Sequence, residues 1–420
     1  MWYDFTGKAN NRMERESDTD MYNIRKVTDD ITWIGASDRR LALFENIFPI
    51  SRGVSYNSYI LVDEQTVLFD TVDASVAGQF FENLEAVLEG RTLDYLIVNH
   101  MEPDHCAMIG DIVRRYPDVK IVGNTKTFGM MNQFFGTDFA ERSIVVKEGD
   151  TLSAGKHTLH FVMAPMVHWP ETMVTYDDVD KVLFSADGFG SFGALNGNIF
   201  ADEVDFDRDW LDDARRYYTN IVGKYGASVQ TLLKKAAGLD IAMICPLHGP
   251  VWRENLPYIL EKYQKWSTYE AEDQVVVIMY ASMYGNTASA ADALAGALAV
   301  RSVKKIAVYD VSNTHISELI SEIFRASHLV FAVPTYNAGI YPVMENLLSD
   351  MKALAVQKKT VAVMENGTWA PTAAKQVKEK LGEMKDMTIL DAGLTIKSAM
   401  HAGQKAEMDA LADEIVKSMM

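Results

Sequence analysis

Cysteine is nearly absent from this sequence: its 420 residues include two, Cys106 and Cys245. Two thiols cannot build a disulfide framework, so a secreted disulfide-stapled scaffold is excluded and a reducing cytoplasm is the expected compartment. No apolar run approaches the ~18 residues of a membrane span. The N-terminus lacks a basic start followed by an apolar core, so neither a membrane anchor nor a secretory signal is expected. Positive charge is in deficit, 40 Lys and Arg against 58 Asp and Glu, a net charge of −18. That sign repels phosphate backbones and excludes a nucleic-acid partner. Low-complexity tracts and internal repeats are missing too. What remains is 48% hydrophobic and 10% aromatic, enough for large buried cores over a length that suits two domains better than one.

Residues 1–20, "MWYDFTGKANNRMERESDTD", are polar and read as a native extension or an expression remnant, with ordered sequence expected from Met21. From Ile24 to about Gly249 short strands dominate. "NSYILVDEQTVLFDTV" reads as a hairpin turning at Asp63–Glu64. "DYLIVN", "HTLHFVMAP", "KVLFSAD" and "DIAMICPLHG" read as further strands, with helical patterns over Val76–Leu88 and Asp209–Lys235. A second regime follows "YEAEDQ". There "VVVIMYA", "KKIAVYD", "SHLVFAVPTYN" and "KTVAVMENGTW" are apolar runs, each followed by a polar loop and a helix. Such alternation predicts an α/β fold with a doubly wound parallel sheet. The expected domains are therefore 21–271 and 272–420.

The stretch "NHMEPDH" places His100, Glu102, Asp104 and His105 directly after the strand "DYLIVN". Three further strand ends carry His168 in "VHWPETM", Asp187 in "FSADGFG" and His248 in "CPLHGPVW". Loops at such ends carry function in layered α/β folds. Four imidazoles and three carboxylates can give each of two metals about four ligands if Asp187 bridges. Two divalent ions bring four positive charges and the carboxylates return three, so one hydroxide would leave the buried cluster neutral. A lone exposed polar turn would explain "NHMEPDH" alone, but not its agreement with three other strand ends. His157, His160, His315, His328 and His401 read as ordinary structural residues, and the two cysteines as small buried side chains. On residue types alone, a dizinc, dimanganese or di-iron site all remain open.

The pattern H-x-E-x-D-H, then H-W-P, then a late strand-end Asp, then H-G-P-x-W resembles the metallo-β-lactamase-like domain of flavodiiron proteins. This is the family of A-type flavoproteins, the rubredoxin:oxygen and nitric oxide oxidoreductases. The resemblance implies an αββα sandwich with two irons in place of zinc, because Glu102 stands where hydrolytic relatives carry His. It implies His100, Glu102, His168 and Asp187 on one iron, and Asp104, His105, Asp187 and His248 on the other. Asp70 in "LFDTVD" is expected behind the ligands.

"SMYGNT", Ser282, Met283, Tyr284, Gly285, Asn286 and Thr287, joins a buried strand to a helix. Hydroxyls and main-chain N–H groups at such a helix start suit a phosphate dianion. The loop has neither the Lys of a triphosphate-binding loop nor the glycine spacing of a dinucleotide fingerprint, so it suggests FMN. "PTYNAGIYP" supplies Pro334, Thr335, Tyr336, Asn337 and Gly339 at the same sheet edge, and "ENGTWAP" supplies Asn366, Gly367, Thr368 and Trp369. Tyr336 and Trp369 can stack on an isoalloxazine, although loop aromatics also serve as plain packing residues. These segments look like the flavodoxin domain of the same family, with Asn-Gly-Thr-Trp where Ser-Tyr-Gly-Trp is usual.

Together the resemblances cover roughly residues 21–420 and imply a reductase of O₂ to water, of NO to N₂O, or of both. No catalytic group beyond the metal ligands is expected. The chain shows no Cys-x-x-Cys pair, so the electron donor is expected to be a separate protein such as rubredoxin. The family also implies a head-to-tail homodimer, or a dimer of such dimers, that brings one subunit's FMN to the other's metals. Two rivals are a dizinc hydrolase with an attached flavodoxin-like domain and a flavodoxin-type electron carrier with a purely structural metal domain. Glu102 argues against the hydrolase, and turnover of a thioester or β-lactam by a zinc form would favour it.

Overall fold

The hairpin expected at Asp63–Glu64 consists of strands Tyr59–Val62 and Thr66–Phe69, antiparallel with Tyr59 opposite Phe69 and Val62 opposite Thr66. In this computed structural model, which describes residues 22–420, the hairpin lies inside a seven-stranded sheet. The extension expected over residues 1–20 lies outside the described residues. Strands Tyr95–Ile97, Lys120–Gly123 and Ser143–Val145 continue the sheet in parallel. A second sheet of five strands runs from Thr151–Ser153 to Met243–Cys245.

Alternation along the strands explains the layers. Leu61, Val67, Phe69 and Ile97 share one cluster with Phe161, Met173, Phe184 and Cys245, between the two sheets. The rings of Phe69 and Phe184 stack there at 3.7 Å. The intervening residues Ile60, Leu68, Leu96, Val174, Leu183 and Ile244 face the other way, toward helices. Helix Ala77–Leu88 brings Phe80, Leu84 and Leu88 to the first sheet. Helices Gly226–Ala236 and Leu256–Ser267 bring Val229, Leu232, Ile259 and Tyr263 to the second. A period of two on a strand buries both faces only when both are covered, which gives an αββα sandwich.

The helical pattern expected over 209–235 is interrupted. Helix Leu211–Tyr217 passes into a π turn, Tyr218–Val222, and a 3₁₀ turn, Gly223–Tyr225, before Gly226–Ala236 begins. Packing causes the break. Tyr217 and Tyr218 are adjacent and both fully buried, one against Phe192 and His248, the other against Tyr263 and Trp266. At Gly226 a Cβ would fall 2.3 Å from the Ser267 carbonyl oxygen. A π turn widens the helix where such tertiary contacts override its local preference.

The second regime forms a sheet in the order Ile306–Asp310, Asp273–Tyr280, Ala326–Tyr336, Thr360–Asn366, Thr388–Ile396, all parallel. Its first strand in sequence lies second in space, so the order reverses between the first and third strands and opens a crevice at their C-terminal ends. Helices Asn286–Val300 and Lys405–Ser418 cover one face, and Ile316–Arg325, Pro342–Ala353 and Ala373–Gly382 the other. This is the flavodoxin-like arrangement.

One apolar cluster runs on from the sandwich into this sheet, with the Tyr269 and Phe324 rings 5.8 Å apart. Where the chain passes between them, Glu272 accepts from Arg215 at 2.7 Å, Lys262 at 2.6 Å and Trp266 at 3.0 Å. The side chains of Arg215 and Glu272 are 3% and 4% exposed. Removing one member of a buried ion pair leaves the other charge uncompensated, at a cost of about 3 kcal/mol or more. Glu272→Gln is expected to lose that much stability in urea unfolding, far more than an exposed Glu→Gln change.

At one rim of the sandwich, His157 is buried between Asp177 at 2.9 Å and Asp30 at 3.1 Å, with Asp63, Asp180 and Lys156 nearby. Burial opposes a charge on this imidazole, but Asp177 and Asp30 outweigh it and raise its pKa above the ordinary value. A raised native pKa gives stability that is complete below the unfolded value of about 6.5 and lost as pH rises through the native one. Unfolding free energy measured from pH 6 to 9 should therefore contain a falling component that His157→Gln removes.

Candidate functional site

The strand Tyr95–Ile97 ends three residues before His100, and Glu102 remains extended, with φ −64° and ψ 140°. Pro103 then starts a four-residue helix, Pro103–Cys106, where its missing N–H costs nothing. The extended part turns His100 and Glu102 to one side, and the helical turn brings Asp104 and His105 up beside them. His168, Asp187 and His248 arrive from loops of the second sheet. All seven side chains are buried.

They form two donor sets. In the first, His100 Nε2 lies 3.4 Å from Glu102 Oε2 and 3.2 Å from Asp187 Oδ2, and His168 Nε2 lies 3.0 and 3.1 Å from the same two oxygens. In the second, His105 Nε2 lies 3.0 Å from His248 Nε2 and 3.4 Å from Asp104 Oδ2, and His248 Nε2 lies 3.3 Å from that oxygen. Asp187 turns its other oxygen, Oδ1, to the second set, 3.2 Å from His105 and 3.8 Å from His248. One carboxylate thus offers one oxygen to each set.

Several of these atoms are sealed from solvent without any hydrogen-bond partner: His100 Nε2, both oxygens of Asp104 and Asp187 Oδ1. Unpaired polar atoms at that depth are costly, and bound cations would satisfy them together. The donor types fit two metal ions. Burial pushes the Asp187 carboxyl upward, yet His100 and His105 outweigh it and hold it well below the usual range. Burial lowers His168, and Asp187 and Glu102 more than reverse this, raising it to about 9. Carboxylates and imidazoles therefore stabilise each other's charged forms across both sets, a balance that bound cations would take over.

The surrounding residues fix the donors. Asp70 accepts from the main-chain N–H of Asn99 at 2.7 Å and of His100 at 3.2 Å, and from the Asn99 side chain at 2.8 Å. His248 Nδ1 lies 2.7 Å from the Ser55 carbonyl oxygen. Trp169 sets its ring 5.4 Å from that of His100, while Phe189 packs on Tyr263 and Phe192 on Phe44 and Tyr217. Two neighbours escaped the sequence reading. Glu171 lies 2.8 Å from His100 Nδ1, and its only signal was a carboxylate three residues after His168. Glu45, in the left-handed turn of the hairpin Leu43–Phe44 and Phe48–Pro49, stands beside Glu102. Loss of hydration and the nearby Glu102 push its carboxyl up to about 8, although part of the residue faces solvent.

At the crevice of the second domain, the loops after three strands enclose a cavity of about 440 Å³. Ser282, Met283, Tyr284, Asn286 and Thr287 line it from the first loop, and Pro334, Thr335, Tyr336 and Asn337 from the second. Asn366, Gly367, Thr368 and Trp369 line it from the third. Gly285 and Gly339 stand outside the lining. Gly285, at φ +90°, precedes the helix Asn286–Val300, and Gly339 pairs with Tyr336 in a short return strand. Ala338, Ala370 and Ser398 also reach the cavity, unanticipated by the sequence. Tyr284 and Trp369 are 92% and 90% exposed.

Comparison with known proteins accounts for both halves. A family model described as "ODP family beta lactamase" matches residues 54–249, and one described as "Flavodoxin" matches residues 278–413. The anaerobic nitric oxide reductase flavorubredoxin of Klebsiella pneumoniae is 31% identical over 391 residues, spanning 92% of this chain and 78% of that one. This chain belongs to the flavodiiron protein family. The flavorubredoxin of Salmonella paratyphi B is 32% identical, over 92% of this chain and 79% of its own length. Among solved structures, the rubredoxin oxygen:oxidoreductase of Desulfovibrio gigas superposes with a TM-score of 0.87 at 28% identity, over 94% of this chain and 98% of that one. A flavoprotein of Thermotoga maritima gives 0.86 at 27% identity over the same shares. Flavodiiron proteins are oxidoreductases that carry FMN in the flavodoxin domain and a non-haem di-iron centre in the other. No helix among the described residues is long and apolar enough to cross a membrane.

If Asp187 serves both donor sets, Asp187→Asn should reduce the metal content of the purified protein from two ions per chain to one or none, by elemental analysis. The change replaces a carboxylate by an amide of the same shape, so near-UV circular dichroism should stay close to wild type.

Proposed function

We propose that this flavodiiron protein reduces O₂ to water or NO to N₂O, with electrons passed through FMN from a separate redox protein such as rubredoxin. His100, Glu102, His168 and Asp187 would hold one iron, and Asp104, His105, His248 and Asp187 the other. The observation that carries this reading is the Asp187 carboxylate, with one buried oxygen against each set of donors. When bound, two ferrous ions and a reduced flavin hold the four electrons that O₂ requires. The chain's own part is to fix the donors and keep water away. Trp169 sets its ring against His100, Phe189 and Phe192 are buried in the apolar core after the Asp187 turn, and Asp70 anchors the main chain that presents His100.

The three flavin loops, from Ser282 to Thr287, Pro334 to Gly339 and Asn366 to Trp369, would hold FMN, with its phosphate at the start of the helix Asn286–Val300. Hydroxyls of Ser282 and Thr287 and the left-handed Gly285 support that placement. The divide between the domains falls near residue 272, where Glu272 leads into the strand Asp273–Tyr280. A head-to-tail homodimer, or a dimer of dimers, would bring one subunit's flavin to the other's metals, and the bare Tyr284 and Trp369 faces favour a covering partner. Two reduced cysteines support a cytoplasmic location.

Metal and flavin analysis followed by anaerobic stopped-flow against each gas separately tests the reading. Two irons and one FMN per chain, with reoxidation by O₂ or by NO within the instrument's time range, are expected, and the faster gas names the substrate. Protein that carries zinc alone, or stays colourless after reconstitution with FMN, overturns it.

A further inference from the structure

The two donor sets are not equally supported from behind. Glu171 is 1% exposed. Its Oε1 lies 2.8 Å from His100 Nδ1 and accepts from the Met101 N–H at 2.9 Å. With His100 Nε2 turned toward Glu102 and Asp187, Nδ1 carries the ring proton and donates it to Glu171. The other oxygen, Oε2, is sealed from solvent with no partner, so the carboxylate spends its hydrogen bonding on this one ring and the adjacent N–H. Its backbone is held as well: the Glu171 carbonyl accepts from Asn124, whose own side chain caps the helix Thr125–Phe135.

Among the described residues no carboxylate is hydrogen-bonded to the far ring nitrogen of either imidazole in the second set. The buried Asp70 acts on His105 through space and spends its hydrogen bonds on Asn99 and the His100 N–H. His248 Nδ1 faces the neutral carbonyl of Ser55, and His105 Nδ1 has no hydrogen-bond partner among the described residues. A full negative charge behind an imidazole raises its basicity and strengthens its bond to a metal, more so for a more highly charged ion, whereas a carbonyl dipole does this weakly.

We infer that Glu171 is a positioning residue for His100 that makes the two metal positions unequal, the one served by His100, Glu102 and His168 binding more tightly and favouring the ferric state. This rests on the ligand assignment proposed above. The residue acts through the imidazole and touches neither metal nor substrate.

The test uses full-length protein stripped of metal and titrated with Zn²⁺ in competition with a chelator. Wild type should take up two ions with distinct affinities. Glu171→Gln should weaken the tighter step by about 10- to 100-fold and leave the other within twofold, and Glu171→Asp, which keeps the charge, should recover part of the loss. In iron-loaded protein reduced stepwise by dithionite, each ferric ion gaining one electron, electron paramagnetic resonance should show the interval between the two reduction steps narrowing in Glu171→Gln. Wild type with two ions and a Gln variant with unchanged affinities and interval overturns this inference alone. Equal weakening of both steps also overturns it, because that is what a general loss of structure produces. Wild type binding fewer than two ions overturns the ligand assignment, and this inference with it.

Discussion

A carboxylate excluded from water, with imidazoles on both sides and no donor for one oxygen, is an unfavourable thing to build, and the fold builds it at Asp187. The surrounding backbone is correspondingly constrained. Ala186 and Phe189 sit at φ 50° and 68°, the left-handed region that side chains avoid. The turn is held by the Ser185 hydroxyl bonding the Gly188 carbonyl, and by the Leu247 N–H bonding the Ala186 carbonyl. That last bond joins the loop carrying Asp187 to the loop carrying His248. Two sheets packed face to face are what allow this, because strand ends from both sheets meet over a single core that tolerates no slippage.

Much of the centre was legible in the primary structure because each of its donors lies at the end of a short apolar run. A strand of three or four residues announces itself locally, and so does a polar residue that breaks it. Likewise the parallel sheet of the second half followed from runs such as "VVVIMYA", whose lack of alternation requires cover on both faces. What periodicity cannot show is which distant residues meet. Glu171 and His100 are separated by 71 positions, and a glutamate in a polar loop looks the same whether it faces water or an imidazole. The break after Tyr217 was hidden for a related reason. Its cause lies in Tyr263, Trp266 and Phe192, which are remote in sequence, whereas the local pattern favours an unbroken helix.

The same physics joins the halves. Arg216 is buried without a carboxylate, donating to the Ser317 hydroxyl at 2.8 Å and the Pro49 carbonyl at 2.7 Å, with its guanidinium 5.3 Å from the Phe192 ring. Ser317 opens a helix of the flavodoxin domain, Pro49 belongs to the hairpin that carries Glu45, and Phe192 follows the Asp187 turn. One planar donor therefore connects three elements that a flexible lysine could not hold at once. With the Arg215–Glu272 pair and the shared apolar cluster, the junction joins buried polar and apolar contacts.

The two sites solve opposite electrostatic problems. Around Asp187 the chain gathers three carboxylates among four imidazoles and leaves oxygens of Asp104 and Asp187 without a hydrogen-bond donor. The loops around the cavity of the second domain do the reverse: Ser282–Thr287, Pro334–Ala338 and Asn366–Ala370 contain no charged residue at all. A phosphate dianion held there would be met by N–H and hydroxyl dipoles at a helix start instead of by lysine or arginine. Such donors are fixed in direction and act at short range. They can hold an anion inside a protein of net charge −18 without a cationic patch that would draw in other polyanions. Neutral and rimmed by the exposed Tyr284 and Trp369, the cleft would offer no like charge against a partner of the kind proposed above.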